Sequence, residues 1–180
     1  MHATITVKPQ CTQRCTGVHW LNQSVVGGIC VSNRDLITEF EQGRAPGEFH
    51  HADHVRVAFA YVAEFPLLEA MAKFSAALQR FALSKGKPQL YHQTITWAYL
   101  LLIHERITRA GSVHRGSVQS GSVPSWEEFS EHNPDLLVWK GGILERYYSH
   151  ATLASDLARR AFVFPDRVAA AREESPAGVV

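Results

Sequence analysis

Apolar positions recur at helical spacing through the middle of this chain. Val55, Ala58, Phe59 and Val62 sit at i, i+3, i+4 and i+7, the stripe of an amphipathic helix that begins near His50. Pro66 stops that helix and suits the first turn of a second, in which Leu67, Met71, Phe74, Leu78 and Phe81 form a seam. Glu64 and Glu69 near its start, and Arg80 and Lys85 near its end, lie in the sense the helix dipole favours. Ser84-Lys85-Gly86-Lys87-Pro88 is its stop signal. A third helix is expected from about Gln89 to Arg109, closed by Gly111. From Ile95 to Ile103 it is apolar almost all round, apart from Thr96, which predicts the central rod of a bundle, enclosed on every side.

The flanks are less regular. Thr4-Ile5-Thr6-Val7 and the run from Val25 to Val31 alternate or cluster like strands, without a matching turn between them. Gly43-Arg44-Ala45-Pro46-Gly47 then breaks the chain, so residues 1–48 read as a loosely attached, poorly structured arm. Within a helical domain at 49–165, the segments GSVHR, GSVQS and GSVPS make residues 111–125 a flexible Gly-Ser-Val linker. Ser125-Trp126-Glu127-Glu128 is a capping box, and Asn133-Pro134 opens a further turn in the same spirit. Residues from Ile143 to Tyr148 and from Leu153 to Phe162 suggest two final helices, with Thr152 as the cap of the last. Pro165 ends the order, and 166–180 reads as a tail. The expected fold class is all-α: a bundle of three long and several short helices.

Composition narrows the partners. An apolar fraction of 46% in 180 residues supports one domain with a real core. Lys plus Arg number 18 against 17 Asp plus Glu, and a net charge of +1 offers no field to draw nucleic acid or an anionic membrane. No run approaches the ~18 apolar residues of a membrane span, and no signal peptide is evident, so the cytoplasm is the expected compartment. Cys11, Cys15 and Cys30 are an odd count and describe no disulfide framework. Gly141-Gly142 lacks the context of a phosphate loop, so no nucleotide cofactor is indicated, and no serine or cysteine sits in a nucleophile motif. Trp139, Tyr147 and Tyr148 read as packing residues.

Histidine is the outlier, with 10 copies, three of them in Phe49-His50-His51-Ala52-Asp53-His54. With Val55 at 0° and ~100° per residue, the core face centres near −10°; His51 then falls at about −40° and His54 at about −100°. His51 thus points at the core and His54 sits on its edge, while Asp53 and His50 point to water. If the three long helices run up, down, up, His51 and His54 lie level with His92 and Thr96, whereas His104 is about three turns away. His51, His54 and His92 are therefore the candidate ligands of one metal, and three imidazoles suit zinc, copper or iron. The helix starts that bring them together carry partial positive charge, which opposes a cation and suits an anion unless a residue such as Glu48 offsets it. His104-Glu105-Arg106 is expected to form a separate buried ion-pair network.

From about Phe49 to Asp166 the segments FHHADHV, GKPQLYHQTITWAYLLLIHER, WEEF, NPDLL and ARRAFVFPD resemble a group of short bacterial proteins of unassigned function. The resemblance covers about two-thirds of the chain and implies a compact helical unit; it brings no activity or cofactor with it. The leading expectation is a small histidine-rich metal-binding protein, either a metalloenzyme or a non-catalytic metalloprotein. One rival is a non-catalytic helical protein-interaction module with structural histidines. Another is a metal-free pocket in which His92 acts as a general base on an anionic ligand.

Overall fold

The computed structural model describes residues 31–44, 49–113 and 123–167. Among them are seven α-helices and no strand. The expected strand segments, the three cysteines, Glu48 and the centre of the Gly-Ser-Val run lie outside the described residues.

Helix α1 spans Asn33–Glu41, inside the segment expected to be a loose arm. Ser32 caps it: its hydroxyl accepts the Asp35 backbone N–H at 3.1 Å, and the Asp35 carboxylate reaches back to Ser32. Leu36, Ile37 and Phe40 are buried, so this helix belongs to the core. Helix α2 spans His51–Glu64, α3 spans Leu67–Ser84 and α4 spans Gln93–Val113. Helix α3 ends as read. Gly86 takes φ 68°, and its N–H and that of Lys87 close back on the carbonyls of Leu83 and Ala82 at 2.9 Å.

The central rod is α2, not α4. Every residue from Val55 to Val62 is buried, because α1, α3 and α4 all pack around this helix. On α4, by contrast, Leu101 is 37% exposed. The apolar pattern of α4 misled because an all-round apolar helix is not obliged to be enclosed; what decides is how many neighbours the topology supplies. The same cover explains Asp53, which is 5% exposed rather than facing water. That flank of α2 lies under α1: Arg56, one turn on, donates to Asn33 at 2.9 Å. Asp53 accepts the His50 backbone N–H at 2.8 Å, fixing the first turn of α2.

The remaining chain wraps the bundle in short pieces: α5 (Trp126–His132), α6 (His150–Ala154), α7 (Asp156–Arg160) and 3-10 turns at Pro134–Leu136 and Ile143–Arg146. Ser125 accepts the Glu128 N–H at 3.2 Å, the cap half of the expected box. The two final short helices are capped by Ser149 and Ser155 rather than by Thr152. Thr152 instead donates to Asp166 at 2.6 Å, as does Ser149. Asp166 is therefore a clasp, not the first residue of a frayed tail. Thr94, fully buried on α4, donates to the Ala161 carbonyl at 2.8 Å and accepts the Val163 N–H at 3.1 Å, pinning the end of the wrap. Arg106 donates to Asn133 at 2.7 Å and pairs with Asp135 at 3.0 Å, which holds the Pro134–Leu136 turn onto α4. The expected buried His104-Glu105-Arg106 network does not form. Glu105 pairs with Arg109 on the surface instead.

Candidate functional site

The first turn of α2, the start of α4 and the segment 139–159 border a cavity of about 950 Å³. His51, His54, His92 and Thr96 all line it. The four residues share this lining because α2 and α4 pack against each other. What the imidazoles do there differs from the expectation.

His92 is the N-cap of α4. Its Nδ1 accepts the Ile95 N–H at 3.3 Å, and its Nε2–H donates to the Leu153 carbonyl at 2.8 Å. Both ring nitrogens are occupied, so no lone pair is left for a metal or for accepting a proton. Burial lowers its pKa below the ordinary value, and nearby Arg159 pushes the same way. Thr96 donates to the His92 carbonyl at 2.8 Å, one turn back on its own helix.

His51 donates Nε2–H to the Leu136 carbonyl at 2.9 Å, which is held in place through Asp135 and Arg106. This tautomer leaves a lone pair on Nδ1. Its ring lies between Tyr99 and Trp139, at centroid distances of 5.0 and 5.2 Å. Burial lowers its pKa too. The His54 ring makes no hydrogen bond among the described residues; it stands edge-on to Phe49 at 4.3 Å. Burial and the adjacent His51 push its pKa down to about 4. All three rings are thus neutral near pH 7. Among the described residues no group of three or more His, Cys, Asp or Glu side chains is placed to hold a metal ion.

The rest of the cavity is an apolar floor under a charged mouth. Val55, Ala58, Phe74, Tyr99 and Leu144 are buried on its floor, where burial pushes the Tyr99 hydroxyl up to about 12. At the mouth stand four exposed cations, Lys85, Lys87, Lys140 and Arg159, against one carboxylate, Glu145. That carboxylate accepts the Gly141 N–H at 3.0 Å. The mouth therefore carries three of excess positive charge (four less one) in a chain whose net charge is +1. Leu90 and Trp139 are also exposed there, at 67% and 57%. Trp139 thus packs one face on His51 and leaves the rest exposed at the mouth; Tyr148 is buried as expected, its hydroxyl donating to the Val163 carbonyl at 3.0 Å.

In the sequence the lysines among these cations belong to chain breaks. Lys85 and Lys87 belong to a helix stop signal, and Lys140 lies beside Gly141-Gly142. Only the fold places these two chain breaks on one rim. No family model, no curated protein and no solved structure matches this chain. Its helical fold accords with the resemblance to an uncharacterised group. No helix among the described residues is long and apolar enough to cross a membrane.

Proposed function

We propose that this protein binds a small amphipathic organic anion, a carboxylate on an aliphatic or aromatic body, in the cavity between α2, α3 and α4. The observation that carries this reading is the pairing of a buried apolar floor with four exposed cations at one mouth. A volume of about 950 Å³ falls within the ~300–1,000 Å³ of small-molecule sites. Apolar surface taken from water supplies the affinity, and the cations set the sign of the charge and the orientation. The helix starts at His51 and Gln93 add partial positive charge at the same end. The neutral imidazoles fit an apolar ligand body, since charged rings there would themselves need desolvation.

Titration with dodecanoate, followed by calorimetry, tests the reading. Binding at one site, weakened about tenfold in Lys85→Gln/Lys140→Gln by the loss of two rim charges, is the expected result. The metal reading forecasts something else: near-stoichiometric zinc, copper or iron, lost in His51→Ala. Its support is the pair of adjacent rings on α2, with Nδ1 of His51 and the nitrogens of His54 uncommitted among the described residues. A helical interaction module would take up neither acid nor metal. Absence of dodecanoate binding overturns the proposal.

A further inference from the structure

The cavity wall contains polar groups that a purely apolar ligand would leave unanswered. His54 lines the cavity and is more than half enclosed, and its ring has no hydrogen-bond partner among the described residues. Nδ1 of His51, one turn away on the same helix, is likewise uncommitted. A leucine or phenylalanine at position 54 would pack against Phe49 without the desolvation that an imidazole incurs. The ring is therefore accounted for if something polar enters the cavity and meets it.

Contacts along the wall place that meeting point relative to the mouth. Lys85 lies over the Phe81 ring at 5.4 Å, Phe81 contacts Phe49 at 5.0 Å, and Phe49 contacts His54 at 4.3 Å. A ligand anchored at Lys85 by its carboxylate thus passes two phenylalanines before it reaches an imidazole. Trp139 in turn contacts His51, one turn before His54 on the same helix, at 5.2 Å.

Resting on the anion-binding reading above, we propose that the ligand carries a neutral hydroxyl or carbonyl oxygen along its apolar body, and that His54, beside Nδ1 of His51, hydrogen-bonds it. A neutral ring is both a donor and an acceptor, so it can serve either group. Burial keeps His54 neutral at physiological pH, which suits an uncharged partner. His54 is in this sense a specificity-determining residue: an oxygen placed to meet it is favoured over the same ligand without one.

The probes are dodecanoate and a set of monohydroxydodecanoates that vary the hydroxyl position, each titrated into the full-length protein. The expected result is that one or two positional isomers bind about tenfold more tightly than dodecanoate, the scale of one net hydrogen bond. In His54→Phe and His54→Leu that preference, taken against dodecanoate titrated into the same variant, falls to about unity. In His54→Asn, which keeps a donor and an acceptor on a shorter side chain, part of it survives. Thermal melting of each variant shows that it is folded, and two apolar variants guard against one failing. If every isomer binds the wild type no more tightly than dodecanoate, or if the apolar variants keep the preference, the inference is overturned and the anion pocket stands. If no member of the set binds, both fall.

Discussion

His92 and His54 share a cavity and differ in their partners. His92 spends its donor on Leu153 and its acceptor on Ile95, so it works for the fold. His92→Ala is expected to cost about 1–3 kcal/mol in urea denaturation, through a lost cap and an orphaned carbonyl. A variant as stable as the wild type would contradict this assignment. His54 acts on stability through its protons. Its folded pKa of about 4 lies below the ordinary 6.5, so between these values the unfolded chain holds more protons than the folded one. Stability from this group is complete above about pH 6.5 and is lost as pH falls toward 4, by an amount on the order of 3 kcal/mol. His51 and His92, also lowered, add in the same direction. Denaturation midpoints of the wild type and His54→Phe at intervals from pH 7 to about 4 check the sign: the variant's curve is the flatter one. Asp166 acts at lower pH. Its donors Ser149 and Thr152 hold its pKa at about 2, so the clasp stabilises the fold above the ordinary carboxyl range and lets go as pH falls through about 2. Asp166→Asn removes that acid-limb dependence.

At the scale of elements, α1 changes the molecule's boundaries. A chain begun at Phe49 would strip cover from α2 and expose the surface that Leu36, Ile37 and Phe40 now bury. Burial of such side chains stabilises by ~1.5–3 kcal/mol each, so this truncation is expected not to fold cooperatively, as circular dichroism during thermal melting would show. Phe40→Ala in the full chain is the milder form, at about 3–5 kcal/mol, since its ring packs on Phe49, Phe74 and Phe81. Helix periodicity made α2 and α3 legible almost to the residue, with Pro66 and Gly86 as punctuation. It missed α1, whose nine residues carry one short stripe, although Ser32 with Asp35 is a capping box that the residues themselves display. The final helices were legible as segments but not as pieces. Hydroxyls at positions 149, 152 and 155 all satisfy the cap motif, so spacing alone does not say which of them caps.

The whole molecule brings together what no single element contains. That His51, His54 and His92 line one cavity is legible from helix length and direction once α2 and α4 are taken as neighbours, because an up-down-up chain places alternate helix starts at one end. The roles of these rings did not follow, since the carbonyls of Leu136 and Leu153 that engage two of them lie 85 and 61 residues away. The charged mouth was likewise out of reach: a near-zero net charge concealed a local excess of three. Affinity for dodecanoate should therefore fall as salt rises from about 0.02 to 0.5 M, and the Lys85→Gln/Lys140→Gln variant should show a weaker dependence. Salt-independent binding in the wild type would mean that the rim charges take no part.

The enclosure of α2 also divides the cavity by its capacity to breathe. Backbone amides from Val55 to Val62 lie beneath other helices, so their deuterium uptake is expected to require the whole fold to open, whereas the exposed Lys85–Leu90 stretch is expected to exchange through local fluctuation. The inner wall behaves as a fixed template and the entrance as a threshold that yields. Differences in shape among guests would then register in how quickly they leave, and differences in charge in how quickly they arrive.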